Sequence, residues 1–120
     1  MVDEKMAALV QRIESGSARD PELVAAVMRG LREAVADSGD SPDAGALVST
    51  EQALALVARA LPGWHVALEG APWTCTLRES GARDDDELIG IGRATTPALA
   101  VVAAFLLVMA RRAARKGVSS

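Results

Sequence analysis

Residues 94–110 read Ala-Thr-Thr-Pro-Ala-Leu-Ala-Val-Val-Ala-Ala-Phe-Leu-Leu-Val-Met-Ala, with no charge until Arg111. Thr96 followed by Pro97 has the signature of a helix start: a capping hydroxyl, then a proline where no N–H is needed. The spacing predicts a helix from there to about Arg112. On it Leu99, Val102, Leu106 and Met109 form one apolar stripe, and Val101, Phe105 and Val108 form a second. A surface helix needs one stripe. Two stripes require cover from two sides: a sheet on one, and either the N-terminal helices or a second subunit on the other. In the second case Val101, Phe105 and Val108 are the oligomer interface. The stretch is at or just below the roughly 17–25 residues that span a bilayer. Its capped start and its alanines mark a core helix, so no membrane partner is expected.

The residues before it alternate as strands do. Trp64, Val66 and Leu68 share one parity and Trp73, Cys75 and Leu77 another, so the two apolar sets can occupy one face of a hairpin turned at Gly70-Ala71-Pro72. A third strand near residues 88–93 is expected to add Ile89 and Ile91 to that face. Gly90 and Gly92 would then lie on the other. Upstream, residues 3–15 form a helix with Met6, Leu9, Val10 and Ile13 inward and Asp3 as cap. Asp20-Pro21 opens a second, with Leu23, Val27, Leu31 and Ala34 inward. Gly30 in its middle calls for a close helix crossing. Residues 37–46, Asp-Ser-Gly-Asp-Ser-Pro-Asp-Ala-Gly-Ala, have linker composition. Ser49 and Gln52 then fit a capping box for a helix with Leu54, Val57 and Leu61 inward, ended by Leu61-Pro62-Gly63. The fold class expected is α+β: a helix–sheet–helix unit with a three-stranded antiparallel sheet over residues 49–117, a linker at 39–48, and an N-terminal helical hairpin over 1–38.

Three segments also resemble small proteins of tailed phages and prophages whose C-terminal unit is called the phage ABA sandwich domain. They are residues 9–14 (Leu-Val-Gln-Arg-Ile-Glu) with 21–23 (Pro-Glu-Leu), residues 60–64 (Ala-Leu-Pro-Gly-Trp), and residues 92–100 (Gly-Arg-Ala-Thr-Thr-Pro-Ala-Leu-Ala). Such proteins usually continue with a cysteine and a run of alanines. Here Val101-Val102-Ala103-Ala104-Phe105 follows, and the bulkier side chains suggest an added contact surface. The resemblance implies a phage or prophage origin and helix–sheet–helix layering. It implies no catalytic residue and no cofactor.

The chemistry-bearing residues are few. A net charge of −3 is too small to suggest nucleic-acid binding. Cys75 is the sole cysteine, so no internal disulfide forms, which fits a reducing cytoplasm. His65 and Cys75 invite a thiol–imidazole dyad, but strand parity sends them to opposite faces. Gly90-Ile91-Gly92 lacks the third glycine of a dinucleotide loop. Arg111, Arg112, Arg115 and Lys116 suit the negative end of a helix. Asp84-Asp85-Asp86-Glu87 is the densest charge run. Consecutive carboxylates do not space oxygens for a metal, so neither metal nor cofactor is expected. A solvated loop accounts for them, and so does an acidic surface that occupies a basic groove on a host or phage protein. The expected function is therefore non-enzymatic protein binding, for example inhibition of a host defence complex in the manner of an anti-CRISPR protein. Self-association through the last helix is the alternative.

Overall fold

The computed structural model describes residues 2–17, 19–36, 41–70, 72–79 and 88–119. Helices α1 (Val2–Ser15) and α2 (Pro21–Ala34) precede a 3-10 turn (Ala44–Leu47) and helix α3 (Thr50–Ala60). Strands β1 (His65–Glu69), β2 (Trp73–Arg78) and β3 (Ile89–Ala94) then form an antiparallel sheet in the order β1-β2-β3, and α4 (Pro97–Ser119) closes the chain. The α+β class and the helix, three strands, helix sequence are as the pattern predicts.

Local chemistry explains the element ends. Asp20 accepts from the N–H of Glu22 at 3.0 Å, with Pro21 opening α2. Thr96 accepts from Leu99 N–H at 3.3 Å at the head of α4. Ser49 accepts from Gln52 N–H at 3.2 Å, but only this half of the capping box forms. The Ser49 N–H is already bonded to the Gly45 carbonyl, and the Gln52 side chain lies against Gly45. After α3, Trp64 N–H donates to Leu61 O across Pro62-Gly63, and Gly63 has φ +83°. Proline second and a left-handed glycine third is the chemistry of a type II turn. Helix α1 begins at Val2, so Asp3 lies in its first turn. Helix α4 runs on past Arg112 to Ser119.

In space α4 is the middle layer. One of its sides lies on β3 and β2, and the other is covered by α1, α3 and, less extensively, α2. Met6, Ile13, Leu23, Val27 and Leu31 of the first two helices belong to the same apolar cluster as Leu99, Phe105 and Leu106. Thr95 Oγ1 adds a bond to the Gly16 carbonyl at 3.2 Å. Gly30 lies under Leu9 of α1 and Leu106 of α4, the close crossing its position calls for. The linker expected over residues 39–48 is not all solvent-exposed: Ala46 and Leu47 are buried in the core. On α3 the inward side is Ala53, Leu56 and Val57, with Leu54 only half-buried.

The sheet corrects one expectation. Val66 faces Leu77 and Leu68 faces Cys75, as parity predicts, but Cys75 then faces Gly92 and Leu77 faces Gly90. Residues opposite each other in an antiparallel pair share a face. The two glycines therefore point to the core, while Ile89 and Ile91 point outward, Ile91 47% exposed. The cause is α4. It turns back along β3, and one helical turn of four residues advances about 6 Å, nearly the 6.6–6.8 Å of two strand residues. Successive inward positions of β3 therefore meet successive turns of the same helix side. A Cβ on Gly92 would lie within 2.5 Å of the Ala100 carbonyl oxygen and closer still to the Ala104 nitrogen. One on Gly90 would lie 2.8 Å from the Ala104 carbonyl oxygen. Only glycine admits a helix backbone this close.

Candidate functional site

The described residues hold no prearranged reactive centre. None of their buried side chains is polar or charged, so no acid or base sits in a low-dielectric setting that would tune it. Cys75 is fully buried against α4, and desolvation pushes its thiol up to about 11. At neutral pH it is a protonated, inaccessible group. His65 is exposed and lies across from Arg78, on the face opposite Cys75, so the two do not meet. Gly90 and Gly92 are sealed by α4 and offer no cradle to a phosphate. No three of His, Cys, Asp and Glu converge among the described residues. No helix among them is long and apolar enough to cross a membrane.

Val101, Phe105 and Val108 have no accessible surface in the single chain. They are core residues and cannot present an oligomer interface. The second cover that the two-stripe pattern demands comes from the chain's own helices. The same holds for the Val-Val-Ala-Ala-Phe departure, which fills the interior instead of adding a contact surface. Arg111 donates to the Ile89 carbonyl and so ties α4 to the start of β3. Trp64 and Trp73 share the inner face, at opposite ends of the hairpin, and both are only half-buried. Trp73 lies over Gly70, where a Cβ would meet its ring at 2.6 Å.

Asp84, Asp85, Asp86 and Glu87 lie outside the described residues. They belong to the connection between β2 and β3, whose two ends are joined by the Glu79 N–H bonded to the Leu88 carbonyl at 3.1 Å.

No protein-family model, curated protein or solved structure matches the chain. The phage resemblance therefore stands on its quoted motifs alone.

Two surfaces among the described residues bear on binding. One is a groove of about 360 Å³ between α1 and α2, floored by Met6, Leu9 and Gly30 with Lys5, Arg12 and Arg29 among its walls. No buried polar atom aims into it. The other is the sheet. Its outer face carries His65, Ala67 and Glu69 of β1, Thr74, Thr76 and Arg78 of β2, and Ile89, Ile91 and Arg93 of β3, with no helix of the described residues over it. Because α4 lies on β3 and β2, the inner side of β1 is only partly covered by the described residues: Leu68 is half-buried, but Val66 is 40% exposed. Sequence reasoning missed this open strand. Parity tells which side chains share a face, not how far the helix above reaches.

Proposed function

We propose that the chain is a non-enzymatic binding protein that engages another protein through the sheet and the acidic connection between β2 and β3. The observation that carries this reading is the division of the surface. The helices spend their apolar sides on one shared core, while the sheet stays open on one face and at one edge. The exposed Ile91 on the outer face would contribute the apolar part of such a contact, and Asp84, Asp85, Asp86 and Glu87 the charged part. A run of carboxylates in the connection between two strands suits a basic groove that otherwise holds nucleic acid. Inhibition of a host defence complex by a phage or prophage accessory protein is the concrete form of this proposal. It is supported by the motif resemblance and by that acidity.

The test is expression in a bacterial host with an active nucleic-acid-targeting defence and in an isogenic host without it. Phage plating efficiency should rise only in the first. Replacing Asp84, Asp85, Asp86 and Glu87 together by lysine should abolish the rise while the circular dichroism spectrum stays the same. A lysine variant as active as the parent removes the acidic contact. No effect in either host removes the inhibitory reading.

A further inference from the structure

We propose that β1 is a pairing edge for a second copy of this chain, joining two sheets antiparallel into one of six strands. The sheet has two edges, and the other described residues protect only one. Along β3, α1 packs against the strand, Arg111 donates to the Ile89 carbonyl, and Thr95 just past its end bonds Gly16. Along β1 the sole substantial packing partner among the described residues is β2. The strand His65-Val66-Ala67-Leu68-Glu69 has no proline, lysine or inward charge to discourage pairing.

The partner is argued from the strand's own pattern. Set two copies antiparallel about a two-fold axis through Ala67, and His65 lies opposite Glu69 of the second copy, Val66 opposite its Leu68, and Ala67 opposite Ala67. An imidazole N–H then meets a carboxylate twice on the outer face. Two valine–leucine pairs meet on the inner face, where Val66 is now 40% exposed. A closed two-fold contact needs such self-complementarity, and cross-strand pairs of this kind stabilise a ladder. A shift of one residue would put side chains on the wrong faces. At about 4.8 Å between strands, the two α4 helices would stand roughly 19 Å apart. That is about twice the distance of packed helices, so they would not collide. The contact is small, so a dissociation constant of about 10–1000 μM is expected. It does not depend on the acidic connection, and lysine replacement there should leave it in place.

Sedimentation equilibrium at about 1 mM chain, the top of that range, should show a weight-average mass at least about one and a half times 12.5 kDa, rising with concentration toward twice that value. Val66→Lys should return the monomer with an unchanged circular dichroism spectrum. His65→Glu should weaken the dimer about tenfold by opposing two carboxylates, and adding Glu69→Lys should restore it. A parent chain that is monomeric at this concentration overturns the proposal. So does a dimer that survives Val66→Lys, or a charge swap that fails to restore pairing.

Discussion

Replacing Gly92 by alanine adds one methyl group where the fold has no room for it. The new Cβ would lie 2.5 Å from the Ala100 carbonyl oxygen and 2.8 Å from the Ala103 Cβ. A relaxed carbon–oxygen contact is about 3.3–3.6 Å, so the deficit is about 1 Å. The nearest two atoms are helix main chain and cannot rotate aside, so α4 must lift or β3 must bow. An opening of 0.5–1 Å forfeits roughly a quarter to a half of each van der Waals well along the seam. Overpacking costs about 1–3 kcal/mol, and a rigid wall on both sides puts this site near the top of that range. The stiffer unfolded chain returns about 0.4–1 kcal/mol. A net loss of about 2–3 kcal/mol follows. With a urea slope of about 1.5–2 kcal/mol per molar, the midpoint followed by circular dichroism should fall by about 1–2 M. Ala103→Gly in the same chain should not rescue it, because the main-chain obstacles remain. Ile91→Ala, on the open side of the same strand, should cost less than about 1 kcal/mol. A Gly92→Ala protein within about 0.5 kcal/mol of the parent would refute the close seam between β3 and α4.

Phe105→Ala should destabilise by about 3–5 kcal/mol, since the ring is fully buried, and any variant that still folds should keep the parent's oligomeric state in sedimentation. Thr96→Ala removes the acceptor for Leu99 N–H and should cost about 1 kcal/mol in urea denaturation. Cys75 goes from an ordinary value of 9.0 unfolded to about 11 folded. The unfolded chain therefore loses its thiol proton first, and stability should fall as pH rises from 9 to 11, by up to about 2–3 kcal/mol. Cys75→Ala, compared by denaturation across that range, should lack this part of the slope. At neutral pH the folded protein should resist iodoacetamide, and modification in minutes without unfolding would contradict the burial of Cys75.

Much of the architecture is local chemistry and was readable on that account. Asp20-Pro21, Ser49 and Thr96-Pro97 mark helix starts because short oxygens satisfy the first N–H groups and proline has none to satisfy. The two stripes of residues 99–109 demanded cover from two sides, and the helix is covered from two sides. Parity in β1 and β2 separated His65 from Cys75, and the register agrees. Parity in β3 failed because the reading assumed that apolar side chains must face inward. Gly90 and Gly92 have none, and their value lies in the space they leave. A signal was present: alternate glycines on a strand, then Ala100, Ala103 and Ala104 on one side of the next helix. Small residues opposite small residues mark a close approach of backbones.

Caps, turns and periodicity act over a few residues, so the elements, their order and the need for a twice-covered final helix are legible in the chain itself. Which bodies cover that helix is a matter of tertiary structure. Apolar side chains bury against any surface of the right shape, so the two stripes could not say what covers each: Leu106 meets Gly30 of α2, whereas Val108 lies over Gly90 of β3. The open strand has the same origin. Helix α4 settles where glycine lets its backbone come closest, over β3 and β2, and that choice leaves Val66 of β1 exposed.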